Sequence, residues 1–351
     1  MRYPFDLVFD SAKHRVAGRL RGERKRAVMV SLDPLGGCTN AYGCASNGTN
    51  GTGAAGAVTN RAMLSVAECL AALDECGAPV VSICGGEPLE YPEIPALTRA
   101  ILDRGKHLFL CTDGTLIRRR LHIIPPETNF FWNVKLDGTD KVHDARAQRP
   151  GLFVEALDGV KAAKNAGFFV VVTTTIYPDT DVNDVAALYQ MLHTMHVDGY
   201  MFSPFYPKEK LCCVGSAMFH GKMHQRFREV SSVLGDYNVM TSPMYLEYLR
   251  GERELDCCAW GSPVYGPMGW MAPCYLQDQA YAKSYKALLE ETVWENYGRG
   301  INPRCETCMS HAGYESAALL GANPKAGDWW KMLAWQLRGS LGEKREGTQK
   351  R

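Results

Sequence analysis

Charge of one sign is what this chain of 351 residues lacks most plainly: 39 Lys and Arg stand against 38 Asp and Glu, a formal net charge of +1. No global field therefore directs it to nucleic acid, and its substrate need not be strongly charged. The chain has no run near the ~20 apolar residues of a membrane span. Its first residues, Met1-Arg2-Tyr3-Pro4-Phe5-Asp6, lack the apolar core of a secretory signal. A cytoplasmic protein is expected, so the two Asn-x-Thr matches at Asn47 and Asn50 are read as chance. Cysteine, in contrast, is plentiful. Thirteen of them in a reducing compartment point to metal ligands or a reactive thiol before they point to disulfides. The length allows one large core with an appendage, or two domains.

The densest chemical signal is Val80 to Leu89, Val-Val-Ser-Ile-Cys-Gly-Gly-Glu-Pro-Leu. Its apolar run reads as a buried strand, and the Gly85-Gly86 pair lets backbone amides approach a ligand with no Cβ in the way. Glu87 adds a carboxylate, and Pro88 stops the strand before a helix over 92–104. Such a loop can hold a small cationic ligand by its amino group. Alone, the tetrapeptide reads equally as a tight turn.

Residues 5–22 carry Phe5, Phe9, Ala12, Val16 and Leu20 at helical spacing, with Lys13, Arg15, Arg19 and Arg21 mostly on the other side. This basic amphipathic helix is expected to pack its apolar stripe on the domain; the sharper reading lays it on an anionic membrane surface. A strand over 27–32 follows, then a Gly-, Asn- and Thr-rich loop over 46–58. From Leu64 onward, helices and strands alternate, with strands expected at 80–83, 107–112, 130–136, 168–176 and 199–204 and helices between them. Repeated βα units require parallel strands with right-handed crossovers, hence a barrel or an open doubly wound sheet. In a barrel the chemistry gathers at the C-terminal ends of the strands. Those ends carry Cys38, Gly85-Gly86-Glu87, Cys111-Thr112-Asp113, Lys135-Leu136-Asp137, Thr173 to Thr175 and Ser203.

After about residue 236 aromatics, glycine, proline and the remaining cysteines dominate. Cys305-x-x-Cys308, with Cys258 and Cys274 in Trp- and Gly-rich loops, has the spacing of a four-thiolate metal site; buried cysteines that merely pack are the alternative. The stretch 329–341 is again amphipathic, with Trp329, Trp330, Leu333, Trp335 and Leu337, and the last residues are charged and expected to be disordered.

Several segments resemble one family in order along 5–340: Pro34-Leu35-x-x-Cys38, Gly85-Gly86-Glu87-Pro88-Leu89, Leu110-Cys111-Thr112, Leu136-Asp137-Gly138, Pro273-Cys274-Tyr275-Leu276 and Cys305-x-x-Cys308-Met309. The chain is similar to the radical S-adenosylmethionine enzymes of hopanoid biosynthesis, the adenosylhopene transferases. The resemblance implies an α/β fold, a partial (βα)6 barrel of the TIM type with a Cys/Trp-rich C-terminal extension. The divisions expected are an N-terminal helix over 1–26, a barrel over 27–235, the extension over 236–341 and a disordered tail over 342–351. The implied cofactors are a [4Fe–4S] cluster and S-adenosylmethionine. Cys38 and Cys44 would hold the cluster, and Gly85, Gly86, Glu87, Pro88, Thr112 and Asp137 would hold the cofactor. One departure stands out. Counted from Cys38, the superfamily's Cys-x3-Cys-x2-Cys would place cysteines at 42 and 45, where this chain has Tyr42 and Ala45. Cys44 lies one residue off, and Cys84 is the nearest substitute. A second departure is Ala312, where a further cysteine would follow Cys308.

The implied reaction adds a 5′-deoxyadenosyl radical to the alkene of a hopene such as diploptene, with Cys111 as hydrogen-atom donor. It needs an electron donor of the flavodoxin or ferredoxin kind. Phe130, Phe131, Trp132, Phe202, Phe205, Tyr206, Trp260 and Trp270 are expected to line an apolar channel for the lipid substrate. Peripheral contact with the inner face of the cell membrane is expected for such a substrate, and no nucleic acid. The alternatives are a catalytically silent relative without the cluster, favoured by Tyr42 and Ala45, and a peptide-modifying radical enzyme.

Overall fold

The computed structural model describes residues 2–36, 63–207, 213–277, 279–321 and 323–338. Chain order begins α1 (Phe5–Leu20), β1 (Met29–Leu32), α2 (Val66–Cys76), β2 (Val80–Ile83), α3 (Ile94–Leu102) and β3 (His107–Thr112). It continues through α4 (Ile117–Arg120), β4 (Phe130–Lys135), α5 (Asp140–Ala147), α6 (Leu152–Asn165), β5 (Phe169–Ile176), α7 (Val182–Thr194), β6 (Gly199–Pro204) and α8 (Cys213–Ser232). Local chemistry sets these limits. Ser65 and Glu68 form a reciprocal capping box that starts α2, and Gly77, at φ +68°, ends it in a left-handed turn.

The six strands lie side by side in the order in which they occur, all parallel. A doubly wound sheet reverses its strand order at a switch point and puts helices on both faces. With no reversal, right-handed crossovers place the helices on one side only, and the other face curls round a cavity. That decides for the barrel.

Period-two alternation then assigns each side chain to a face. Val81, Ile83, Leu108, Leu110, Trp132, Val134 and Val170 point outward and join the helices in the main core. Their neighbours point inward. Phe130, Trp132 and Trp270 therefore belong to the outer core, buried to 0% exposure, and not to an apolar channel as the sequence suggests. Phe131 faces inward, where it stacks on Phe109 at 4.6 Å.

The remaining elements are α9 (Pro243–Leu249), β7 (Val264–Gly266), β8 (Gly269–Ala272), β9 (Ala280–Ala282), α10 (Tyr285–Glu291), α11 (His311–Leu320) and α12 (Asp328–Arg338). Strand β7 pairs parallel with β1, and β8 and β9 follow antiparallel, extending the sheet to nine strands on the side away from β2. These three short strands are absent from the sequence reading, because three- and four-residue segments carry too little periodicity to register.

Candidate active site

One cavity of about 1490 Å³ fills the barrel. Its wall changes character from bottom to top. At the N-terminal ends of the strands Leu7, Phe109, Phe131, Val171 and Met240 pack as an apolar floor. Above them runs a polar belt across four strands. Ser82 Oγ lies 3.3 Å from Cys111 Sγ, Asn133 Nδ2 donates to that sulfur at 3.4 Å, and Thr173 Oγ1 donates to Asn133 Oδ1 at 2.7 Å. The belt runs two residues ahead of the strand register between β2 and β3, and again between β4 and β5. That stagger is expected of tilted strands in a barrel.

At the upper mouth Cys84, Gly85 and Gly86 line the cavity together with Asp113 and Lys135. Gly85 and Gly86 sit at φ +80° and +58°, conformations that only glycine adopts cheaply. A Cβ on Gly85 would stand 2.0 Å from Asp33 Oδ1, and Asp33 is itself buried. Close approach of this acid thus requires the bare backbone.

Three expected contacts turn elsewhere. Glu87 is buried, and its carboxylate accepts from Thr112 Oγ1 at 2.9 Å and from the amides of Leu89 and Asp113 at 3.0 and 3.1 Å. Burial, with Asp113 beside it, pushes this carboxyl upward. Glu87 ties the end of β3 to the Gly-Gly loop and does not line the cavity. Pro88, also buried, opens a short turn over 88–90. Asp137 accepts from the Thr175 amide at 2.8 Å and pairs with Lys135 Nζ at 3.3 Å, bracing the mouth from outside. Thr112 does line the cavity, with its hydroxyl committed to Glu87. Phe202, Phe205 and Tyr206 line it as well.

Residues the sequence reading passed over also reach this cavity. Ser82 and Asn133 could have been found by stepping two residues from Val80 and Lys135. Glu315 and His311, one turn apart on α11, could not, because nothing local marks them. Burial lifts Glu315 to about 7 and lowers His311 to about 4. Glu315 Oε1 accepts from the Ser242 amide at 3.1 Å, while Oε2 is buried without a partner.

The Radical SAM superfamily model matches residues 38–192, and the domain of unknown function DUF3463 matches residues 201–332. Residues 38–192 are a radical SAM domain. Among curated relatives, the Fe-coproporphyrin III synthase of Methanosarcina barkeri is 30% identical over 133 residues, 37% of this chain and 33% of that protein. The AdoMet-dependent heme synthase of the same organism is 28% identical over 151 residues, 42% of each chain. The chain thus spans less than half the length of these relatives. Among solved structures, Streptococcus suis SuiB bound to precursor peptide SuiA superposes with a TM-score of 0.59 at 14% identity, covering 83% of this chain and 69% of SuiB. At that identity the likeness shows the fold alone.

Radical SAM proteins are enzymes that use a [4Fe–4S] cluster and S-adenosylmethionine. The radical SAM domain has residues that fit the second of these. Gly85 and Gly86 present backbone to the cavity, and Asp113 beside them and Lys135, itself paired with Asp137, bring one charge of each sign to the same lining, as a methionine zwitterion requires. Cys38 and Cys44 lie outside the described residues. Cys84 is directed into the cavity, in phase with Val80 and Ser82.

The cysteines of the extension form a second group. Cys257, Cys274, Cys305 and Cys308 line one small cavity of about 40 Å³ beside Tyr206 and Gln277. Gln277 Nε2 donates to Cys305 Sγ at 2.7 Å. Burial, reinforced by the other thiols, holds Cys257 and Cys308 well above the usual thiol range. Cys258, expected here from spacing, instead turns its sulfur toward the Asp256 carbonyl, and Cys257 stands in its place. Adjacent residues in extended chain point to opposite sides, so the two members of a Cys-Cys pair cannot both face one site. Among the described residues no three His, Cys, Asp or Glu side chains are set at metal-ligating separations.

Proposed function

We propose that the protein joins the 5′-deoxyadenosyl group to the terminal alkene of a hopene-type hydrocarbon. The observation that carries this reading is a cavity in which the Cys111 thiol, deeper than Cys84 at the mouth, stands in a polar belt above an apolar floor. At about 1490 Å³ the cavity exceeds the roughly 300–1,000 Å³ of a site for one small molecule, as room for a cofactor and a polycyclic substrate together requires. S-adenosylmethionine held at Gly85 and Gly86 beside a reduced cluster would supply a 5′-deoxyadenosyl radical, and addition of that radical to a terminal alkene would leave the unpaired electron on the more substituted carbon. Cys111 then gives its S–H hydrogen atom to that carbon, since an S–H bond is weaker than an alkyl C–H. The sulfur regains one electron and one proton. Two electrons and one proton enter per turnover, the electrons from a flavodoxin or ferredoxin. Ser82 and Asn133 hold the sulfur in place, and Phe109 and Phe131 exclude water below it.

The test is anaerobic turnover of reconstituted protein with diploptene, S-adenosylmethionine and a reductant in D2O. The expected product is an adenosyl adduct carrying one non-exchangeable deuterium, delivered from the exchanged thiol of Cys111. Free 5′-deoxyadenosine with no adduct would overturn the reading.

We also assign to Cys257, Cys274, Cys305 and Cys308 a metal ion, on the support of their shared cavity. Metal analysis of wild type beside Cys305→Ser/Cys308→Ser should show the loss of this ion with the radical SAM cluster retained; equal metal content would refute the assignment.

A further inference from the structure

In α1 most of the large apolar side chains are turned away from the domain. Phe5, Phe9, Val16 and Leu20 form one stripe at helical spacing, and all four face solvent, 56% to 84% exposed. The opposite side carries Leu7 into the barrel floor and polar groups beside it: Asp10 pairs with the buried His107 at 3.0 Å, and His14 Nε2 meets the Ala27 carbonyl at 2.9 Å. The stripe that would be expected to pack on the domain is the face turned away from it.

Helix α12 repeats the arrangement. Trp329, Trp330, Leu333 and Leu337 are 39% to 62% exposed, whereas Gln336 is buried and bonds Tyr3 through both its amide atoms. The two helices are tied together where Arg2 Nε donates to the Trp335 carbonyl at 2.9 Å. Of the fifteen large hydrophobic residues exposed among the described residues, eight lie on these two helices. A patch so concentrated marks an interaction surface.

Charge selects the partner. Residues 2–26 hold eight Lys and Arg against three Asp and Glu, within a chain of net charge +1. Lys13 and Arg19 lie exposed on α1 itself, and Arg21 follows at its end. Basic residues flanking an exposed stripe of Phe, Trp and Leu suit a bilayer with anionic headgroups. The radical SAM cavity also reaches this surface, for Ala12, Trp329 and Leu333 are exposed and line it as well. The same cavity ends on Cys111.

We propose that α1 and α12 together lie on an anionic bilayer, and that the gap between them admits a membrane-dissolved hydrocarbon directly to the barrel. The route rests on the hydrocarbon substrate proposed above; the docking does not. Co-sedimentation of the full chain with phosphatidylcholine vesicles, with and without anionic phosphatidylglycerol, tests it. Wild type should bind the anionic vesicles at least about tenfold more tightly than the neutral ones. Phe9→Glu/Trp330→Glu, at exposed positions that do not line the cavity, should lose that binding while keeping the wild-type melting temperature. With substrate embedded in vesicles this variant should lose about tenfold in rate, and with substrate in detergent micelles it should match wild type. Absence of wild-type binding, or unchanged binding of the variant, overturns the proposal. So does a wild-type dimer that the variant breaks into monomers, because the face would then be covered by a second copy. Vesicle binding without any adduct would leave the docking standing and refute the function.

Discussion

The floor and the belt of the barrel are built from the same strands and the same inward-pointing phase, yet they differ in every chemical respect. Two residues of chain carry β3 from Phe109 to Cys111, and two carry β4 from Phe131 to Asn133. Below that step the contacts are stacked rings; above it they are hydrogen bonds at 2.7 to 3.4 Å. The strands thus serve stability at one end and chemistry at the other, as expected when a parallel barrel works at the C-terminal ends of its strands. Losses in the floor should appear as unfolding, and losses in the belt as lost turnover.

The largest expected effect tests the floor. Phe131→Ala empties a buried ring position and should cost about 3–5 kcal/mol of stability, read from denaturant unfolding. A cost below about 1 kcal/mol would erase the distinction between the two layers. Next comes the belt. Cys111→Ala should cut formation of the saturated adduct by about 100-fold, or about 2.7 kcal/mol, with a wild-type unfolding midpoint. A destabilisation matching that of Phe131→Ala would make Cys111 a packing residue.

At the mouth, Gly85→Ala forces a Cβ to 2.0 Å from Asp33 at φ +80°. It should cost about 2 kcal/mol and abolish S-adenosylmethionine binding measured calorimetrically. Binding that survives would separate the cradle from the cofactor.

The smallest effect concerns Glu315. Its carboxyl is lifted from about 4.5 to about 7 by burial, so the folded state holds a proton that the unfolded chain releases. Its contribution to stability is present in full below the unfolded value and is lost as pH rises through about 7. Glu315→Gln should flatten the decline in stability between those values and gain about 1–2 kcal/mol above pH 7. An unaltered pH profile would mean that this carboxyl is ionised in the folded protein.

The βα alternation, the Gly85-Gly86 turn and the strand carrying Cys111 are legible in the residues, because each rests on contacts within a few positions: apolar runs of strand length, a positive φ that glycine must supply, a capping pair three apart. What required the folded chain was everything set by pairs far apart in sequence. The unreversed strand order, which chooses barrel over doubly wound sheet, depends on five crossovers acting together. Cys257 rather than Cys258 joins Cys274, Cys305 and Cys308 because the chain direction at 257 decides which sulfur faces inward. The outward turn of Phe5, Phe9, Val16 and Leu20 is the clearest instance. Helical periodicity shows that these residues share a face, and only the position of the neighbouring barrel, gripping Asp10 and His14, decides that this face meets the surroundings.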